Sequence, residues 1–111
     1  MSGKFELKKT KSGQFNFNLK AANGRIILTS ELYRDKAGAR NGIESVKKSA
    51  GRDANYEHKA TSKGAPFFVL KAANGEIIGT SETYSSTSAS NNGIASVKEN
   101  APGAAIEDLT E

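Results

Sequence analysis

The sequence of 111 residues has no cysteine and no tryptophan, and only two prolines, one histidine and one methionine. Without cysteine there is no disulfide framework, no thiolate zinc site and no nucleophilic thiol. That absence suits a reducing compartment, so a cytoplasmic protein is the expectation. The lone His58 leaves no histidine pair to hold a metal. No run of about 18 apolar residues occurs, so no membrane-spanning helix is expected. The opening Met1-Ser2-Gly3-Lys4-Phe5-Glu6 lacks the apolar stretch of a signal peptide and reads as the start of a strand. Phe, Leu, Ile and Val together number only 21, or 19% of the chain. That is close to the composition of disordered chains, but the net charge of +4 is modest. A folded domain with a thin core is therefore expected. It is too short for a barrel enzyme of about 250 residues.

What the sequence does have is an internal repeat. Residues 13–50 align without gaps on 64–101, with 21 identities in 38 positions at an offset of 51. Lys20-Ala21-Ala22-Asn23-Gly24 returns as Lys71-Ala72-Ala73-Asn74-Gly75, and Thr29-Ser30-Glu31 with Tyr33 as Thr80-Ser81-Glu82 with Tyr84. Asn41-Gly42-Ile43 and Ser45-Val46-Lys47 return as Asn92-Gly93-Ile94 and Ser96-Val97-Lys98. The expectation is one domain over 1–111 made of two repeats, 1–52 and 53–111. Neither half carries enough apolar surface to fold well alone, so the halves should share one core.

Each unit reads as three strands and a helix. Phe5 and Leu7 mark a first strand, and Lys11-Ser12-Gly13 its turn into the second. Phe15, Phe17 and Leu19 alternate with Asn16, Asn18 and Lys20, the period of a half-buried strand. Asn23-Gly24 then predicts a two-residue hairpin turn with positive φ at both positions. In that register Leu19 faces Leu28, Lys20 faces Ile27 and Ala21 faces Ile26. Asp35 and Ser86 are N-caps for helices whose stripes are Ala39, Ile43, Val46, Ala50 and Ser90, Ile94, Val97, Ala101. Gly42 and Gly93, inside those helices, suggest a close approach to the sheet or else a break. Gly51 and Pro102-Gly103 end the helices. A last strand follows each, Asp53 to Thr61 and Ala104 to Leu109. The first is long enough to finish unit one and begin unit two. Pro66, where unit one has Phe15, should hold its strand end at an edge or unpaired.

Alternation assigns Phe17, Leu19, Ala21, Ile26 and Leu28 of unit one, and Phe68, Leu70, Ala72, Ile77 and Gly79 of unit two, to the helix-covered face. The open face takes Asn16, Asn18, Lys20, Ile27 and Thr29 from unit one, and Phe67, Val69, Lys71, Ile78 and Thr80 from unit two. The exchange of Asn16 and Asn18 for Phe67 and Val69 makes Phe67, Val69, Ile78 and Lys71 a candidate contact surface for a protein partner or a homodimer. The alternative is simple cover by lysine stems or a terminus. Charge is also divided: residues 1–51 carry +7 and residues 52–111 carry −3. Lys4, Lys8, Lys20 and Arg25 form a candidate basic patch for nucleic-acid phosphates. The basic half lacks the open-face aromatics of an RNA-stacking sheet, and a solvated lysine surface accounts for it more simply.

The doubled Leu-Lys-Ala-Ala-Asn-Gly-x-Ile-Ile and Thr-Ser-Glu-x-Tyr segments, each followed by Asn-Gly-Ile-x-Ser-Val-Lys, resemble the YegP-like family of small uncharacterised bacterial proteins. The resemblance spans about residues 4–109. It implies an α+β fold of tandem β3-α-β repeats. These form a single antiparallel sheet with two helices on one face, and C-terminal strands are exchanged between the repeats. It supplies no catalytic residues and no cofactor.

Read for chemistry, Glu31 and Glu82 are a repeated carboxylate pair of the kind that serves general acid and base catalysis, or else strand-end residues. Tyr33 and Tyr84 read as packing residues with hydrogen-bonded hydroxyls. His58 aligns with Leu7, so a partly buried structural histidine is expected. Ser85-Ser86-Thr87-Ser88 is a helix start, and Ala-Asn-Gly is a hairpin turn rather than a phosphate loop. The reading is a non-enzymatic binding or interaction module with no metal and no cofactor.

Overall fold

The computed structural model describes residues 3–110. Its order is β1 (Lys4–Lys9), β2 (Phe15–Lys20), β3 (Ile26–Thr29), α1 (Lys36–Ser49), β4 (Tyr56–Ala60), β5 (Pro66–Lys71), β6 (Ile77–Thr80), α2 (Thr87–Asn100) and β7 (Ala105–Asp108). The strands form one sheet in the order β4-β5-β6-β3-β2-β1-β7. The two hairpin units meet at β3 and β6, through the single antiparallel pair Thr29 and Thr80. The expected antiparallel sheet holds for every pairing but one: β7 runs parallel to β1, so the sheet is mixed. The strand returns from α2, a crossover that brings it alongside β1 in the same direction.

The Asn23-Gly24 hairpin exists, but its turn differs from the expectation. Only Gly24 has positive φ, at 86°, and Asn23 does not. The Gly24 N–H donates to Ala21 O and the Ala21 N–H to Arg25 O, each at 2.9 Å. This is a three-residue loop closed by a glycine in the left-handed region. The extra residue shifts the register: Leu19 still faces Leu28, but Lys20 faces Ile26, with a bulge between. The second hairpin repeats the loop at Gly75 and the bulge between Leu70 and Lys71.

Asp35 and Ser86 cap their helices, accepting from the Gly38 and Ala89 N–H groups at 2.7 and 3.0 Å. The stripe Ala39, Ile43, Val46 and Ala50 is fully buried. Both helices lie against strands of both units, so one core cluster draws on Phe5, Phe17 and Leu19 together with Phe68 and Leu70. Gly42 and Gly93 do mark a close approach, and the visitor is a tyrosine ring. A Cβ on Gly42 would sit 2.7 Å from the Tyr33 Cζ, and one on Gly93 2.7 Å from the Tyr84 Cζ. Each tyrosine stacks on the phenylalanine beneath, Tyr33 on Phe17 and Tyr84 on Phe68, at 6.2 Å. The tyrosine whose hydroxyl donates to a carbonyl is a third one. Tyr56 bonds Ala50 O at 2.6 Å, capping the end of α1.

The copies differ most usefully at the seam. Leu28 and Gly79 are equivalent positions on the covered face, and a Cβ on Gly79 would lie 2.6 Å from Leu28 Cγ. Two leucines do not fit across the axis, so one copy gives its side chain up.

The linking strand is shorter than expected. Asp53–Asn55 forms a 3-10 turn and only Tyr56–Ala60 is strand, paired to β5 alone. The physical reason lies in the repeat length. Shifting β7 back by 51 places it on residues 54–57, which overlap the first strand of unit two. One stretch cannot fill both places, so unit one has no closing strand of its own. The exchange implied by the resemblance therefore runs one way, β7 onto unit one. Pro66 is at neither an edge nor unpaired. It opens the interior strand β5 opposite Ala60. Its cost is local: Phe15 and Tyr33 exchange two backbone hydrogen bonds, whereas Pro66 only accepts from Tyr84.

Two stability predictions follow from the copies' differences. Gly79→Val should lose about 1–3 kcal/mol in urea denaturation, and combining it with Leu28→Ala should recover part of the loss expected from adding the two single effects. Strict additivity would show that the seam is not crowded. Ser90 is fully buried with no partner for its hydroxyl, where unit one has Ala39. Ser90→Ala should therefore stabilise the protein by about 1 kcal/mol, and an unchanged or lowered midpoint would contradict this.

Candidate functional site

The open face is organised by one transverse row. Register places Glu107, Glu6, Asn18, Thr29, Thr80, Val69 and Glu57 side by side across all seven strands. Around Glu6 stand Lys20 at 3.2 Å, Lys4 at 3.7 Å and Lys8 at 3.9 Å. Glu57 holds Lys59 at 3.5 Å and pairs closely with Lys71. Glu6 is only 6% exposed. Burial pushes its carboxyl upward, but the Lys20 hydrogen bond and the charges of Lys8 and Lys4 outweigh this and hold it below the usual range. Its contribution to stability is thus present above the ordinary carboxylate pKa and is lost as pH falls through the lowered one.

Three of the four basic-patch residues, Lys4, Lys8 and Lys20, therefore share one carboxylate. Arg25 is not with them: it stands in the hairpin and lines a cleft with Glu82 and Tyr84. The apolar contact surface is mostly closed. Val69 is 3% and Ile78 7% exposed, and only Phe67 is half-buried. Val69 lies in the row between Glu57 and Thr80, on the same strand as the ion-paired Lys71.

The repeated carboxylates are not brought together. Beyond the antiparallel pair Thr29 and Thr80 the chains leave in opposite directions, and Glu31 and Glu82 leave with them, both exposed. Glu82 ends in a cleft of about 550 Å³ between the first hairpin and α2, together with Asn92 and Ser96. Glu31 ends near Tyr33 and Glu76.

His58 is exposed, contrary to the expectation from its alignment with the fully buried Leu7. Leu7 is enclosed because β7 lies beside it, with the Leu109 N–H donating to Leu7 O at 2.8 Å. Among the described residues no strand lies on the outer side of β4. Its edge and α2 enclose two adjoining clefts of about 350 and 300 Å³ that share His58 and Asn91. Asn91, Ala95 and Lys98 were not among the residues singled out from sequence. The signal that could have found them is the overlap of the two strand assignments at residues 53–58.

The chain matches the model for a domain of unknown function, DUF1508, twice, over residues 10–57 and 62–108. It is 54% identical to the UPF0339 protein YegP of Yersinia pestis over 97% of this chain and 96% of that one. Among solution structures, the UPF0339 protein SO3888 of Shewanella oneidensis is 55% identical, with a TM-score of 0.93 over 99% of this chain and 93% of that one. The protein of unknown function yegP of E. coli is 47% identical, with a TM-score of 0.94 over 99% and 95%. With the tandem match, the near-complete identity spans and the shared fold, the chain belongs to the UPF0339 (DUF1508) family, whose relatives include YegP.

Proposed function

We propose that this chain is a non-enzymatic interaction module that works through the edge of its sheet. One observation supports this reading above the others: β1 is covered by β7 on its outer side, whereas its copy β4 has no strand on its outer side among the described residues. An uncovered strand edge is a template for strand addition. The open face, the first choice from sequence, offers less. Its row is neutralised by its own ion pairs, and Val69 and Ile78 are already buried. Nucleic-acid binding through Lys4, Lys8 and Lys20 would first have to displace Glu6.

The edge can be blocked without unfolding the sheet. In unit one the Leu7 backbone points at β7, so its copy His58 points its N–H at the free edge. Proline is tolerated at such a position because no ladder bond is lost. Immobilised His58→Pro protein should keep the wild-type melting temperature and lose the proteins that wild type captures from a bacterial lysate. Lys20→Glu should retain them. Equal capture by His58→Pro would reject the edge. Capture that nuclease abolishes and Glu6→Gln strengthens would favour nucleic acid instead.

A further inference from the structure

We infer that the bare edge of β4 and the groove beside α2 receive one extended strand of a partner protein, laid parallel to β4 in the register that β7 takes on β1. This rests on the interaction-module reading and adds the partner's conformation, direction and side-chain pattern.

The molecule itself contains the template. On β1, Ile106 lies beside Phe5 and packs against the core, while Asp108 lies beside Leu7. The Asp108 carboxylate reaches up to α1, meeting Lys36 at 2.9 Å and Arg40 at 3.3 Å. The offset of 51 carries Phe5 and Leu7 to Tyr56 and His58. It carries Lys36, Arg40 and Ile43 of α1 to Thr87, Asn91 and Ile94 of α2. These transposed residues are the walls of the two adjoining clefts. The cleft is therefore the β7 site of unit two. Burial agrees: Ile43 is fully buried, whereas its copy Ile94 is 8% exposed. The repeat-equivalent segment, residues 54–57, cannot fill the site, because it is already used in the 3-10 turn and in β4.

The walls also select the occupant. The position matching Ile106 lies beside Tyr56 and against Ile94 and Ala95, and it takes an aliphatic side chain. The position matching Asp108 lies beside His58, under Thr87 and Asn91, which replace the lysine and arginine. Lys98, the nearest cation on α2, is held by Asp53. Lys59, which also lines the cleft, pairs with Glu57 at 3.5 Å, so a carboxylate there would give up water with no unpaired lysine or arginine in return. An uncharged hydrogen-bonding side chain, such as Ser, Thr or Asn, can instead meet the Asn91 amide and Thr87 hydroxyl. The pattern recognised is thus aliphatic, any residue, then neutral polar, in an extended chain. A second copy's β7 fits it poorly: it carries Asp108 at the polar position and is engaged on its own β1.

The probes are a peptide of residues 102–110 and its Asp108→Thr form, titrated into the isotope-labelled full chain and followed by NMR. The Asp108→Thr peptide should bind saturably, shifting amides of residues 57–60 with Asn91 and Ala95. It should bind about tenfold tighter than the parent peptide, the equivalent of about 1.4 kcal/mol. Ile106→Asp in the peptide, or His58→Pro in the protein, should abolish the shifts. Shifts in β1 and α1 instead, or binding indifferent to Ile106→Asp, would overturn the inference. So would a peptide-free dimer, seen by light scattering, that His58→Pro dissolves, since a second copy would then be the occupant. No shift at about 1 mM peptide, with lysate capture still sensitive to His58→Pro, would refute this register while leaving the interaction module standing.

Discussion

The fold depends on a narrow seam. Two units, each too poor in apolar residues to enclose a core, are joined where β3 meets β6 through one residue pair. What the backbone does not supply there, packing does. Leu28 reaches across the axis into the space left by Gly79, and each helix lies over strands of both units. At a seam between near-copies, steric exclusion at the axis forces the copies apart in sequence. The leucine and the glycine are two halves of one contact.

That contact shows why some of the architecture was readable and some was not. The repeat, the helix caps and the buried stripes follow from local rules, and the structure reproduces them; the strand periods hold except beside the hairpin bulge, where Ile77, assigned to the covered face, is exposed. The hairpin turn departs from the sequence expectation because Asn-Gly serves two loop types, and here only Gly24 is left-handed. The bulge then moved Lys20 from Ile27 to Ile26 while leaving the inner pair Leu19 and Leu28 intact. His58 is exposed for a different reason. Aligned positions share a backbone environment only if their neighbours are also duplicated, and the neighbour of Leu7 has no copy. For the candidate site the sequence identified the lysines but not their shared Glu6, since three side chains converge on one carboxylate only after two strands are paired.

The divided charge takes on a concrete meaning in this setting. The excess positive charge of the first half is partly spent within the sheet, on Glu6, and partly on the visitor from the second half. Lys4 meets Glu107 at 2.7 Å, and Lys36 and Arg40 meet Asp108. The opposite signs of the two halves thus include the ion pairs that seat β7 on the first repeat. Such exposed pairs add little stability individually. They instead favour one docking position of β7 over others.

The pairing of β7 with β1 also bears on time. During synthesis β1 emerges roughly a hundred residues before β7, so Phe5 and Leu7 wait that long for the strand that encloses them. At about 5–20 residues per second that is on the order of 5–20 s. Until then β1 is itself an open edge, equivalent to the one β4 keeps in the finished molecule. Until β7 arrives the outer edges of β1 and β4 are both bare, and β7 covers only the first.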